Sequence, residues 1–182
     1  MGLLEGASVL EIKRRGKFLW MPLDSGDALV VHLGMSGQVL LREPQAPDDK
    51  HLRVRLITEM ADGRAVDVRF VDQRIFGSMA VDQLVDGIGG LVPAQAAHIA
   101  ADPLEAVFDD DAFVAALRKR RTGIKRALLD QGLISGIGNI YADESLWRAR
   151  LHYDRATDAM TATKVRELLG HVRDVLGQAL AE

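Results

Sequence analysis

The stretch GLISGIGNIYADESLWRAR, residues 132–150, ends one helical pattern and begins another. Gly132, Gly136 and Gly138 interrupt the periodicity of the preceding GIKRALLDQG, and Asn139 stands where a helix N-cap is expected. The segment therefore predicts a helix that stops at Gly132, a turn, and a second helix over NIYADESLWRAR. Such a helix start exposes unpaired backbone N–H groups and can hold a phosphate. An ordinary helical hairpin with glycine caps is the alternative.

The sequence around this stretch divides into two halves of different pattern. The earlier half contains short β-branched runs such as SVLEI, DALVVHL and AVDVRFV, and Asp62-Gly63 is a strong hairpin signal. The later half has helical periodicity from about residue 104. Between them, DGIGGLVPAQAAHIAADP resembles a linker. We predict an α+β fold with a partial antiparallel β-sandwich (1–92), a linker (93–103) and an all-helical domain (104–182).

Composition excludes several classes of protein. The 182 residues are 48% hydrophobic, enough for one ordinary core or two small ones. No apolar run reaches the roughly 18 residues that a membrane span needs, so we expect a cytoplasmic protein without a membrane partner. The chain has no Cys, and its five His residues are scattered without ligand spacing. We therefore expect no metal and no cofactor.

The distribution of charged residues along the chain is more informative than the net charge. A net charge of −3 argues against nucleic-acid binding, because phosphate contacts need Lys and Arg. However, KRRGK (13–17) and RKRRTGIKR (118–126) contain no acid. Each run alone is as well explained by a solvated face, but two such runs beside glycine-rich turns favour phosphate binding.

Three motifs together resemble one known family. The segment GIKRALLDQGLISGIGNIYADESLWRARLH is similar to the helix–two-turns–helix signature of the formamidopyrimidine-DNA glycosylase and endonuclease VIII family of base-excision repair enzymes. RRGKFL, VVHLGMSGQVLL and VDQRIFGSM follow the order and spacing of that family's β-sandwich domain, and resemble its formamidopyrimidine branch more closely. The resemblance covers about residues 5–180. It implies a DNA glycosylase with AP lyase activity that flips a damaged base out of duplex DNA.

The resemblance also implies roles for three residues of the first half. Met35, in the Gly34–Gly37 turn, matches the family's Met that inserts into the base stack, a task that suits a long unbranched side chain. Arg74 matches the Arg that hydrogen-bonds the orphaned opposite base, and Phe76 the aromatic that stacks and kinks the duplex. The residues alone also allow three other interpretations. These are an ordinary surface residue for Met35, a surface ion pair of Arg74 with Asp72, and a core position for Phe76.

Further residues match the family's phosphate contacts. Lys17, His32 and Asn139 match positions that grip the backbone around the lesion, and Lys125 lies near the entry of the helical motif, where we expect electrostatic support. The alternatives are that Lys17 is a half-exposed residue of a strand and that His32 is a core residue whose hydrogen bonds are made within the protein. The implied partner is double-stranded DNA with oxidised-purine or abasic lesions, bound by a monomer associated with the bacterial nucleoid.

Two features of the family have no counterpart in this sequence. Family members begin with Pro-Glu, in which the proline amine attacks C1′ of the damaged nucleotide while the Glu transfers protons. The opening MGLLEGASVLEIK does not match, so we predict no catalytic residue. We also expect the family's four-cysteine zinc ribbon to be absent. Tyr153 stands where the family usually has a helix-ending proline. This difference affects only the expected turn at that position.

Three hypotheses follow from these departures. The chain is a glycosylase or lyase in which an amine such as Lys17 replaces the proline, a catalytically inactive lesion-binding paralogue, or a non-functional truncated fragment. The third predicts an unpaired strand edge and an exposed core.

Overall fold

The computed structural model describes residues 2–181, so Met1 and Glu182, the outer bounds of the predicted domains, lie outside the described residues. The chain divides into two compact units, the first ending at Leu84 and the second beginning at Val85. Strands come first and helices second, which confirms the predicted α+β fold. The predicted boundaries of the two domains and the linker stay predictions.

The strands form two antiparallel sheets. A five-stranded sheet has the order β1-β2-β3-β7-β8, and a three-stranded sheet has the order β4-β6-β5. The first contains β1 (Lys13–Arg15), β2 (Phe18–Pro22), β3 (Asp27–His32), β7 (Ser78–Gly87) and β8 (Gly90–Pro93). The second contains β4 (Gln38–Arg42), β5 (Leu52–Glu59) and β6 (Ala65–Val71).

The burial of each strand follows from its neighbours. Strand β3 lies between β2 and β7, and its residues from Ala28 to Val31 are all buried. Strand β5 is at a sheet edge and its exposure alternates, with Val54 and Leu56 less exposed than Arg53 and Arg55. The Asp62-Gly63 hairpin prediction is confirmed, since Gly63 has φ +80° in the turn that joins β5 to β6.

The core between the two sheets is small. It includes the buried side chains of Met21, Leu29, Val31 and Phe70. Beside it lies an apolar cavity of about 320 Å³, lined by Leu3, Leu4, Leu29, Val54, Leu56, Met79, Ala80 and Val81. The two sheets are therefore incompletely packed at this place.

The structure differs from the predicted pattern in two segments of the first half. SVLEI contributes one isolated bridge, from Val9 to Leu23, and the first strand begins at Lys13. The linker-like stretch contains the end of β7, all of β8 and a 3-10 helix over Ala94–Ala96. Gly89 and Gly90 have φ values of +79° and +115°, which turn the chain back between β7 and β8.

The second unit contains the four α-helices of the described chain. They are α1 (Asp110–Lys119), α2 (Ile124–Leu128), α3 (Asn139–Arg148) and α4 (Ala162–Ala181). Helix α2 is shorter than predicted: it ends at Leu128, and the Asp130 carboxylate then accepts the Gly132 N–H at 2.9 Å in the turn that follows.

A large apolar core holds the helices of this unit together. Helix α4 buries Val165, Leu168, Leu169, Val172, Val175 and Leu176 at helical spacing. Arg173 of α4 makes two hydrogen bonds of 2.6 and 2.9 Å to Asp110 at the start of α1. Among residues 2–181, none of the helices is both long and apolar enough to cross a membrane.

Candidate nucleic-acid interface

Two short segments of the first unit lie against each other. One is the turn Gly34–Gly37 after β3, here called the wedge turn, and the other is the loop from Gln73 to Gly77 after β6, here called the pairing loop. The Arg74 backbone N–H donates to Ser36 Oγ at 3.1 Å. A Cβ atom on Gly34 would lie only 2.7 Å from the Phe76 carbonyl carbon. The two segments are therefore in direct backbone contact.

The side chains predicted to meet DNA are exposed on these two segments. Met35 is 65% exposed and Phe76 is 59% exposed. The Arg74 guanidinium lies over the Phe76 ring, 5.4 Å from its centroid. This arrangement does not match the alternative of a core Phe. Nor does it match an Arg74–Asp72 ion pair, because Asp72 accepts the backbone N–H of Arg74 instead, at 3.2 Å.

Sequence reasoning missed a second exposed apolar side chain in the pairing loop, that of Ile75. Ile75 is 67% exposed and has φ +58°, a conformation that is strained for a β-branched residue. Its place between Arg74 and Phe76 was the available signal. Ile75 adds apolar surface beside Phe76.

Asp72 is a buried carboxylate that joins the two segments. Its Oδ1 accepts the Ser36 hydroxyl at 2.6 Å, and its Oδ2 accepts the Gly77 N–H at 2.8 Å. These hydrogen bonds, with that from Ser36 the largest cause, lower the pKa of Asp72 below its ordinary value. Sequence reasoning considered Asp72 only as a surface partner of Arg74. Its position directly after β6 and before a glycine-ended loop was the signal that could have identified it.

Lys17 and His32 form a polar pair near the wedge turn. Lys17 is exposed in the turn between β1 and β2, and His32 is the last residue of β3. Partial burial, followed by the positive charge of Lys17, lowers the pKa of His32 below 6.5. The neutral ring accepts the Gly34 N–H on Nδ1 at 3.3 Å. Its proton therefore belongs on Nε2, which can donate to a phosphate.

In the second unit, Gln131 holds the turn that precedes α3. Its Nε2 donates to the Ile137 carbonyl at 3.0 Å, and its Oε1 accepts the Gly136 N–H at 3.2 Å. Gly136 has φ +87°, where a side chain would be strained. The turn is therefore fixed by side-chain hydrogen bonds, which sequence reasoning did not predict.

Asn139, the predicted cap residue, is the first residue of helix α3 and lies next to the observed cap. Gly138 is the N-cap and supplies no side-chain hydrogen bond to the first turn. Asn139 itself is exposed. The first N–H groups of α3 and the Asn139 amide thus lie together at the positive end of the helix dipole, an arrangement suited to an anion. The role of Asn139 in binding phosphate stays a prediction.

The basic run of residues 118–126 is partly neutralised by acids from elsewhere in the chain. Lys125 forms an ion pair with Asp143 at 2.8 Å, and Arg120 pairs with Asp130. Arg121 and Arg126 are exposed and make no ion pair within residues 2–181. A phosphate at Lys125 would therefore compete with the Asp143 carboxylate. The sequence showed no acid inside the run and could not reveal these partners.

The described residues contain no cluster of three or more His, Cys, Asp or Glu side chains that could hold a metal ion. The expectation that the chain uses no cofactor stays a prediction.

The described residues thus comprise a strand-rich unit with an exposed wedge turn and a helical unit with a glycine-containing turn before α3. The family model for the formamidopyrimidine-DNA glycosylase N-terminal domain matches residues 2–79, and that for the formamidopyrimidine-DNA glycosylase H2TH domain matches residues 99–182. The chain belongs to the formamidopyrimidine-DNA glycosylase family, and the family predicted from the motifs is confirmed.

Two curated relatives show the extent of the similarity. The formamidopyrimidine-DNA glycosylase of Nocardioides sp. is 58% identical over 180 residues, which are 98% of this chain and 59% of the relative. That of Salinispora tropica is 59% identical over 180 residues, 99% of this chain and 60% of the relative. The chain therefore spans about three fifths of the length of these relatives.

Solved structures show the same fold. The MutM (Fpg) protein of Thermus thermophilus matches with a TM-score of 0.75 and 34% identity, over 99% of this chain and 63% of that chain. The Lactococcus lactis formamidopyrimidine-DNA glycosylase, bound non-covalently to DNA containing an AP site, matches with a TM-score of 0.75 and 28% identity. That match covers 96% of this chain and 64% of the other.

Proposed function

We propose that this chain binds double-stranded DNA at oxidised-purine or abasic lesions and stabilises a flipped-out nucleotide, as the recognition part of a DNA glycosylase and AP lyase of base-excision repair. One observation carries the proposal. Met35, Arg74 and Phe76 are displayed together, exposed, on two segments joined by hydrogen bonds. Relatives with the same fold have been solved with DNA containing an AP site or Fapy-dG, which supports this partner.

The arrangement of the three side chains suits the gap that an extruded nucleotide leaves in the duplex. An exposed Met35 can fill the emptied stack without a polar atom to desolvate. The Phe76 ring can wedge between base pairs on the opposite strand, and Arg74 beside it can donate to the unpaired base. The cost of unstacking is then offset by contacts that exist only in the flipped state.

Phosphate contacts from both units complete the proposed binding mode. Lys17 and the Nε2 proton of His32 serve the first unit, and Asn139 with Lys125 serves the second. These contacts are local, so they do not require a positive net charge of the whole chain. All of them use protein side chains or backbone, and the proposal therefore includes no metal or cofactor. It places a monomer at the nucleoid in the bacterial cytoplasm.

The proposed binding has a direct test. Fluorescence anisotropy would compare the full chain on a labelled duplex with one abasic-site analogue and on the same duplex without it, across a range of salt concentrations. We expect tighter binding to the abasic duplex, and affinity for both duplexes that falls as salt rises. Equal affinity for the two duplexes at every salt concentration would overturn the proposal.

The covalent chemistry needs its own experiment, because we assign no residue to it. Attack of an amine on C1′ of an abasic site forms a Schiff base, which borohydride reduces to a stable adduct. Trapping of this chain on an abasic duplex, beside a full-length family enzyme as control, shows whether the chain contains such an amine. An adduct mapped to Lys17 would support lyase activity in this chain, and a trapped control without an adduct on this chain would limit the proposal to binding.

A further inference from the structure

The wedge turn and the pairing loop are 36 residues apart in sequence, yet one carboxylate joins them. Asp72 accepts the Ser36 hydroxyl on Oδ1 and the Gly77 N–H on Oδ2, at 2.6 and 2.8 Å. Ser36 Oγ also accepts the Arg74 N–H at 3.1 Å. The hydroxyl of Ser36 thus donates to Asp72 and accepts from the pairing loop, which fixes both its position and its orientation.

Close backbone packing at two glycines makes this link tight. A Cβ on Gly34 would lie 2.8 Å from Gly77 N, and a Cβ on Gly77 would lie 3.1 Å from Asp72 Oδ2. No side chain separates the two segments at these points. A small change in the hydrogen bonds therefore shifts one segment relative to the other, and with it Met35 relative to Phe76.

Asp72 is itself held in place from outside the two segments. Its backbone N–H donates to the His51 carbonyl at 3.1 Å, and its own carbonyl accepts Arg53 Nε at 2.8 Å. Its carboxylate is buried and ionised at neutral pH, because its hydrogen bonds lower its pKa. Asp72 is thus a fixed point to which both segments are tied.

We propose that Asp72 and Ser36 are positioning residues for lesion recognition: together they clamp the wedge turn to the pairing loop, so that Met35 enters the stack at a set distance from Arg74 and Phe76. Neither Asp72 nor Ser36 contacts the DNA in this proposal, which rests on the proposed function. The clamp acts by preorganisation, since the two segments need no ordering when the duplex binds. It therefore contributes to the preference for a flipped nucleotide and not to the general attraction of phosphates.

Three substitutions separate the clamp from the general stability of the unit. Ser36→Ala removes the hydroxyl that links the segments, and Ser36→Thr keeps a hydroxyl there. Asp72→Asn places its NH₂ group opposite either Gly77, where the hydrogen bond from the Gly77 N–H is lost, or Ser36, where the hydrogen bond to Ser36 reverses and the one from the Arg74 N–H is lost. The matched control is Asp62→Asn, which changes a carboxylate that also accepts a backbone N–H, from Arg64 at 3.0 Å, in the hairpin turn between β5 and β6.

Two readouts on the full chain test the proposal. Amide hydrogen exchange at Arg74 and Gly77 in the free protein reports whether the clamp is closed. The ratio of affinities for abasic and intact duplex reports recognition. We expect Ser36→Ala to speed exchange at Arg74 and to lower the affinity ratio about fivefold to tenfold, the scale of one lost hydrogen bond. The affinity for intact duplex and its salt dependence stay unchanged, and Ser36→Thr restores the ratio.

The outcomes distinguish the clamp from the proposed function. A wild-type chain with no preference for the abasic duplex would overturn the proposed function and the positioning role with it, while exchange at Arg74 would still decide whether the clamp exists. A wild-type preference that survives unchanged in Ser36→Ala and Asp72→Asn would overturn the positioning role alone. Equal losses on both duplexes, or a matching loss in Asp62→Asn, would show a merely structural role and overturn it as well.

Discussion

Replacing Gly34 by alanine tests the close contact between the wedge turn and the pairing loop. Gly34 has φ +58°, and a Cβ there would lie 2.7 Å from the Phe76 carbonyl carbon and 2.8 Å from Gly77 N. Carbon atoms in contact normally lie about 3.5 to 4.0 Å apart, so the segments would have to separate by about 1 Å. The substitution therefore combines a backbone cost with a steric cost.

Gly63→Ala isolates the first of these costs. Gly63 has φ +80°, but a Cβ there would meet nothing within 4 Å. A left-handed backbone costs a residue with a side chain about 1 to 2 kcal/mol, and overpacking adds about 1 to 3 kcal/mol. We therefore expect the free energy of unfolding to fall by about 1 to 2 kcal/mol in Gly63→Ala, and by about 2 to 5 kcal/mol in Gly34→Ala.

Urea unfolding followed by tryptophan fluorescence measures the difference. Trp20 is buried in the first unit and reports its unfolding, whereas Trp147 of the second unit is already 80% exposed and changes little. With a slope of about 1 kcal/mol per M, the Gly34→Ala midpoint should lie about 1 to 3 M below that of Gly63→Ala. Equal midpoints for the two variants would refute the close backbone contact at Gly34.

Three further predictions concern charge, helix stability and pH. Lys125→Ala should lower the salt slope of DNA binding, measured by anisotropy titrations, by about 0.9. Asp143→Asn frees Lys125 from its ion pair and should raise the affinity for abasic and intact duplexes alike. An unchanged slope in Lys125→Ala would show that Lys125 makes no phosphate contact. Gly177→Ala should stabilise the second unit by about 0.5 to 1 kcal/mol in chemical unfolding, because this helical glycine is exposed and an added Cβ would meet nothing within 4 Å. A loss of stability in this variant would contradict the open space at Gly177. Because burial and Lys17 lower the pKa of His32 below 6.5, the unfolded chain takes up the proton first, so the first unit should lose stability as the pH falls from about 7 towards about 5. The loss should be smaller in His32→Gln, and an identical pH dependence in both proteins would show that His32 does not cause it.

The sequence predicted the features that local signals encode. Asp62-Gly63 identified a hairpin because its turn needs a residue with positive φ, and Gly63 adopts it. The glycines before Asn139 predicted a helix start, because they interrupt the helical periodicity of the segment before it. The exposed positions of Met35 and Phe76 agree with the roles that the motifs implied, although those roles stay predictions.

Contacts between distant residues were not predictable in this way. Ser36 meets Asp72 across 36 residues, and Lys125 meets Asp143 across 18. Neither pair leaves a periodic pattern or a short motif, because the partners come together only when the sheets and helices pack. The hydrogen bonds of the clamp were therefore visible only in the structure.

Short apolar segments were ambiguous for a different reason. SVLEI has the composition of a strand, yet Ile12 is 69% exposed and Val9 makes a single bridge, since β-propensity depends on a neighbouring strand to pair with. Strand β8 has only four residues, too few to show a period of two within a glycine-rich stretch. Its pairing depends on the turn at Gly89 and Gly90 and not on its own composition.

The most direct test of the account compares wild type with Met35→Ala on one abasic duplex and its intact counterpart. Met35 is exposed and is not part of the core that the described residues of the first unit form, so the first unit should stay folded in both proteins. The account predicts that wild type prefers the abasic duplex and that Met35→Ala loses most of this preference while keeping its affinity for the intact duplex. The same preference in both proteins would contradict the assignment of Met35 as the residue that fills the emptied stack.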